Sequence, residues 1–270
     1  IIMAGRPSMG KSMVAQSLGL QIAKKGHGVL MFALEMSRDE HIYRALSDLS
    51  YTSSHRLEYR DIQAGDINDN GRDMIARAAN DLNGMSFTIC DRPGLKLDAI
   101  QSRVRAQKKS MEKAGKSLDV VIVDHIGLVR DSGRYRDNRN NQIGEITSGL
   151  LRIAKEMDVA IIGVCQLNRQ TENRENKRPQ LSDLRDSGNI EQDANAVVFV
   201  YREAYYLERM PFRDDNEKYD RDQMLARSRN KIEMIVAKNR QGPTTTIEMF
   251  CDPGCNVVRD LEATNGTQPV

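Results

Sequence analysis

Apolar residues along this chain come in two rhythms. The first is a set of short unbroken runs: "VLMFAL" (Val29–Leu34), "SFTIC" (Ser86–Cys90), "LDVVIVD" (Leu118–Asp124), "VAIIGVC" (Val159–Cys165) and "AVVFVY" (Ala196–Tyr201). They are rich in β-branched residues and do not alternate with polar ones, which is the pattern of strands buried on both faces of a parallel sheet. The second rhythm has a helical period. Leu97, Ile100, Val104 and Met111 share one face, and Ile143, Ile146, Leu150, Ile153 and Met157 share another. The order strand, helix, strand, helix predicts an α/β domain whose central sheet is mainly parallel and flanked by helices.

The C-terminal third changes character. "KIEMIVAK" (Lys231–Lys238), "TTTIEMF" (Thr244–Phe250) and "NVVRD" (Asn256–Asp260) are separated by tight turns at Gln241-Gly242-Pro243 and Pro253-Gly254. Such spacing predicts an antiparallel extension of the sheet. Arg202–Asn230 is polar, charged and weakly periodic, and reads as a long, partly mobile surface loop. There is no internal repeat and no second hydrophobic core, so residues 1–270 are read as one domain.

Composition narrows the class. The 270 residues are 39% hydrophobic and 29% charged, with a formal net charge of +2. No apolar run approaches the roughly 18 residues of a membrane span, so no membrane role is expected. The chain opens inside a strand, and we expect its natural N-terminus to lie further upstream. Four scattered cysteines (90, 165, 251 and 255) lack the spacing of a metal site and suit the reduced thiols of a cytoplasmic protein. Two stretches, Val129–Asn141 and Asn168–Arg178, concentrate arginine. Charge runs of this kind usually form solvated loops.

The chemistry begins at the first turn. Ile1–Ala4 is a strand, and Gly5, Arg6, Pro7, Ser8, Met9, Gly10, Lys11 and Ser12 follow as a phosphate-binding loop of the form GxxxxGKS, with a helical pattern (Val14, Leu18, Ile22) after it. Its glycines let backbone N–H groups turn toward a phosphate, and the helix offers its positive end. Lys11 would reach the β- and γ-phosphates of a nucleoside triphosphate, and the Ser12 hydroxyl would bind Mg²⁺. Asp124 closes the run "VVIVD" and reads as a Walker-B acid holding the Mg²⁺ water shell, or alternatively as a strand-end acid in a turn. Glu35 ends the first strand after the phosphate loop. It reads as a general base, or alternatively as a cap for the helix after Ser37. Gln166 ends another strand, either as a γ-phosphate sensor or as an ordinary loop amide. His125, next to Asp124, is expected to pack. Lys238 and Arg240, two apart before a projecting turn, point the same way.

Taken together, "AGRPSMGKS", "FALEMS", "VIVDHIGLV", "CQLNR", "LSDLRDSGNIEQDANAVVFVYR" and "AKNRQGPTTTIEMF" resemble the C-terminal motor domain of the DnaB-type replicative helicases, which has a RecA-like P-loop NTPase fold. The resemblance runs from Ile1 to about Asp260, and residues 181–202 are its most diagnostic part. It implies a homohexameric ring that moves 5′→3′ on single-stranded DNA using ATP and Mg²⁺. Lys11, Glu35 and Gln166 would serve catalysis, with Ser12 and Asp124 at the metal. Arg44 would pack on the nucleotide base, unless it is simply a solvated helix residue. Lys238 and Arg240 would act on the neighbouring subunit's nucleotide. Arg185, Asp186 and Gly188 would grip the DNA backbone, with Val129–Asn141 possible channel lining. By this resemblance the sequence is expected to lack the family's linker helix and N-terminal collar, the parts that recruit primase and helicase loader. The competing expectation is a RecA-like DNA-binding or regulatory ATPase that does not unwind.

Overall fold

The structure is a computed structural model that describes residues 1–133, 135, 138–168, 174, 176–184 and 190–261. Among these, nine strands form one sheet in the order β3-β2-β4-β5-β1-β6-β7-β8-β9. The strands are β1 (Ile2–Gly5), β2 (Val29–Ala33), β3 (Phe87–Cys90), β4 (Val120–Asp124), β5 (Ala160–Gln166), β6 (Ala196–Tyr201), β7 (Lys231–Asn239), β8 (Thr245–Asp252) and β9 (Val257–Asp260). The first six pair in parallel. β7, β8 and β9 add antiparallel.

Both sheet faces are covered, which explains the unbroken apolar runs. Leu30, Phe32, Val121, Val123 and Phe199 pack with α5 (Leu97–Lys113) and α6 (Arg139–Met157). Met3, Met31, Ile122 and Val164 face the other way, onto Met13, Val14 and Ala15 of α1 (Lys11–Lys24). At Gly19 helix α1 lies close on the sheet: a Cβ there would stand 2.9 Å from the side-chain tips of both Ile122 and Phe87, which would have to shift.

Two features differ from the sequence reading. Residues 202–230 are not a loop: α8 (Glu203–Leu207) and α9 (Asp215–Ser228) occupy most of the segment. The Asp214 carboxylate accepts from the Glu217 N–H at 2.8 Å, and the Glu217 side chain accepts from the Arg213 N–H at 2.8 Å. This reciprocal cap starts the helix. Arg209 over Tyr205 and Arg221 over Phe212 add cation–π contacts. Because α9 is polar around most of its circumference, it has no apolar stripe to read. Second, α2 (Arg38–Ser50), α3 (Tyr59–Ala64) and α4 (Asp69–Gly84) close over a small cluster of their own, around Leu46, Ile62 and Ala78. It is a satellite of the main core.

Polar clamps tie this satellite to the rest. Buried Asp48 of α2 pairs with Arg259 of β9, whose guanidinium also donates to Ser17 of α1 at 3.0 Å. Burial pushes the Asp48 carboxyl up, while Arg259 opposes the shift. Nearby, the Gln16 amide donates to the His41 carbonyl (2.7 Å), and its oxygen faces His41 Nδ1 at 2.9 Å. With the amide nitrogen committed, Nδ1–H is the donor in that second contact.

Burial, helped by the charge of Arg44, depresses His41 to about 4 from 6.5. Between these values the unfolded chain binds a proton that the native state refuses, so stability falls as pH falls from 6.5 to 4, by about 3 kcal/mol for this group. Urea unfolding at pH 7 and pH 4.5 measures it. The His41→Asn variant should lose that part of the slope.

Candidate active site

Four parallel strands present their C-terminal ends side by side in the order β2-β4-β5-β1. Register fixes what meets there: Ala33 lies opposite Asp124, and Gly5 opposite Gln166. The Leu34 N–H donates to the Asp124 carbonyl at 2.7 Å, and the Leu167 N–H to the Gly5 carbonyl at 3.1 Å. Glu35, Asp124, Gln166 and the phosphate loop are therefore brought to one rim by strand pairing. In open α/β sheets this rim is where ligands bind.

The loop has the backbone a phosphate cradle needs. Ser8 and Gly10 take positive φ values of 63° and 88°. A Cβ on Gly5 would meet the Val200 carbonyl oxygen at 2.8 Å, so β6 leaves room for glycine alone. Met9 is buried in the core beneath the loop, Pro7 is half-buried and Ser8 is exposed. Arg6 is buried and donates to the Leu167 carbonyl at 2.9 Å, joining the loop to the residue after Gln166. Gly10 caps α1 without a side-chain hydrogen bond, and the first turn of α1 has no acidic residue. Its N–H groups thus face the rim without an internal anion.

Lys11 Nζ donates to the Arg6 carbonyl at 2.9 Å. Burial lowers its pKa, while Asp124 and Glu35 pull it back up. Asp124, only 2% exposed, accepts from the Ser12 hydroxyl. Burial raises its pKa, and Ser12, His125 and Lys11 oppose that. A hydroxyl and a carboxylate from adjacent elements are hard oxygen donors of the kind Mg²⁺ takes, and their placement beside Lys11 fits a metal–phosphate pair.

Glu35 lies two residues beyond β2, with its side chain 62% exposed. Capping is not its task. Ser37 caps α2 and accepts from the Glu40 N–H, while the Glu40 carboxylate accepts from the Ser37 N–H. Among the described residues the Glu35 carboxylate makes no hydrogen bond. His125 Nε2 stands 3.9 Å from it. A packing role alone, as expected from the sequence, omits this contact; its signal is the adjacency of His125 to Asp124, on a strand whose neighbour leads into Glu35.

Other candidates lie apart from the rim. Arg44 of α2 sits over the Tyr59 ring at 4.2 Å and donates to Asn256 at 3.2 Å. Lys238 donates to the Glu191 carbonyl and Arg240 to that of Gln192, so both cations rest on the short helix α7 (Ile190–Asp193). Arg185, Asp186 and Gly188 lie outside the described residues, as do Arg134 and Arg136 of the arginine-rich stretch. Two arginines of the second arginine-rich stretch are partly exposed and paired. Arg178 forms a two-pronged bridge to Glu233 and covers Tyr201, and Arg174 pairs with Asp183.

Comparison with known proteins points one way. A family model described as the DnaB-like helicase C-terminal domain matches residues 1–258. The chain is 36% identical over 285 residues to the replicative DNA helicase DnaB of Rickettsia bellii, covering 100% of this chain and 55% of that protein. It is 32% identical over 250 residues to the replicative DNA helicase DnaC of Bacillus subtilis, covering 92% of this chain and 49% of that one. Among solved structures, a chain described as an ATPase domain superposes with a TM-score of 0.82 at 30% identity, covering 96% of this chain and 84% of that chain. A DnaB-like replicative helicase, described with its interactions with primase, superposes with a TM-score of 0.81 at 30% identity, covering 96% and 57%. The chain spans about half the length of the curated relatives it matches.

Proposed function

Since the chain belongs to the DnaB-like helicase C-terminal domain family, we propose that it is the ATP-driven motor of a replicative DNA helicase. It would hydrolyse ATP at subunit interfaces of a homohexamer and move 5′→3′ on single-stranded DNA. The observation that carries this reading is the convergence of Lys11, Ser12, Glu35, Asp124 and Gln166 on one sheet rim beside a glycine-bounded loop.

Each residue has a task that its position supports. The N–H groups of the loop and of the first turn of α1 bind phosphate oxygens. Lys11 leaves the Arg6 carbonyl to neutralise the β- and γ-oxygens. Ser12 and Asp124 hold Mg²⁺, which when bound offsets charge on the phosphates. Glu35 orients a water and accepts its proton. Gln166, tied through Leu167 to Gly5, is placed to report an altered γ-phosphate to β5. Lys238 and Arg240 reach a neighbouring subunit's nucleotide, and Arg44 packs on the base.

DNA is assigned to Arg185, Asp186 and Gly188 through backbone contacts, so binding would be largely independent of sequence. Primase and a helicase loader are the proposed protein partners, and the cytoplasm is the proposed compartment.

The test is ATP turnover and strand displacement by the full-length protein. Single-stranded DNA should raise the hydrolysis rate several-fold, and a fork with a 5′ tail should be unwound. Stimulation without strand displacement would favour a DNA-bound regulatory ATPase. No response to DNA in either assay would contradict the motor reading.

A further inference from the structure

His125 follows Asp124 at the tip of β4, and Glu35 lies just beyond the tip of β2. The Leu34 N–H to Asp124 carbonyl bond clamps the two tips together at 2.7 Å. Each side chain is thus one residue past the same clamp, on neighbouring parallel strands.

The imidazole is fixed from behind. The Gly127 N–H donates to Nδ1 at 3.1 Å, which commits the lone pair to Nδ1 and places the proton of the neutral ring on Nε2. That nitrogen faces Glu35 Oε2 at 3.9 Å. The ring caps a short 3-10 turn, Ile126–Leu128, and Ile126 is fully buried against Gly163 of β5. The His125 side chain is 19% exposed against 62% for Glu35. A held donor therefore stands beside an acid that has no hydrogen bond among the described residues.

We propose that His125 is a positioning residue for Glu35. Its Nε2–H restrains the carboxylate in the rotamer that aims at the attacking water, and the contact shortens to a hydrogen bond when the site closes on nucleotide. The inference rests on the reading of Glu35 as general base. No proton leaves His125 in this role. It selects geometry, and its effect belongs to kcat rather than to nucleotide binding.

The experiment is a double-mutant cycle in the full-length protein with saturating single-stranded DNA, reading kcat and KM for ATP in His125→Leu, His125→Gln, Glu35→Gln and the Glu35→Gln/His125→Leu pair. His125→Leu should lower kcat about tenfold with KM unchanged, because orientation is lost and binding is not. His125→Gln, which keeps an N–H at similar reach, should recover most of the rate. In the Glu35→Gln background, His125→Leu should cost nothing further. Equal losses in both backgrounds, a rise in KM with kcat intact, or a Gln variant as slow as Leu would overturn the proposal. A wild-type rate in Glu35→Gln alone would instead overturn the base assignment beneath it.

Discussion

Replacing Glu35 with Gln should slow ATP hydrolysis by about a thousandfold, within the range by which a positioned general base accelerates proton transfer. Nucleotide affinity should hardly change. The side chain is largely exposed, caps no helix and makes no hydrogen bond among the described residues. Removing its charge leaves the sheet rim and phosphate loop as they were. The loss therefore belongs to the step in which water is deprotonated, and melting temperature should stay at the wild-type value. A variant that binds a fluorescent ATP analogue normally but turns over slowly meets this expectation. A variant that hydrolyses ATP at the wild-type rate would place the base elsewhere.

The second large effect is expected at Arg240. Its guanidinium and the Lys238 ammonium both rest on α7 carbonyls, with Arg240 exposed at the end of the β7–β8 hairpin. Lys238 pairs with β6 at Val197, at the end of the sheet opposite the phosphate loop. An arginine supplied by a neighbour typically contributes about a thousandfold or more to phosphoryl transfer. Arg240→Ala should therefore abolish most turnover in the oligomer while leaving ATP binding, fold and single-stranded DNA binding intact. Steady-state hydrolysis set beside nucleotide binding separates these effects. A proportional loss of binding would instead assign the residue to structure.

Much of this architecture is legible in the sequence because burial on both faces writes itself as unbroken apolar runs. Val29–Leu34, Leu118–Asp124 and Ala196–Tyr201 each contain a strand with bounds shifted by at most two residues. The loop Gly5–Ser12 is equally plain, since few sequences place GxxxxGKS between a strand and a helix. What escapes has a physical reason in each case. Helix α9 is stabilised by a cap and by charged and aromatic pairs, so it shows no apolar stripe. The Asp48–Arg259 bridge joins residues far apart in sequence, and periodicity carries no such information. His125 looks like a strand-end residue until parallel register sets it beside Glu35. Strand-tip chemistry is read residue by residue along the chain, whereas the site is assembled across it.

In the proposed arrangement the nucleotide site is half a site, completed by Lys238 and Arg240 of the next subunit. Mixed oligomers of Lys11→Ala and Arg240→Ala subunits would reveal such sharing. Each variant alone should be nearly inactive. In a mixture, an Arg240→Ala subunit keeps its phosphate loop and can receive the finger of a Lys11→Ala neighbour. Random pairing at equal amounts restores about a quarter of the interfaces. ATP hydrolysis should reappear on mixing and peak near equal proportions. No recovery at any ratio, with mixed oligomers shown to form, would rule out a shared site.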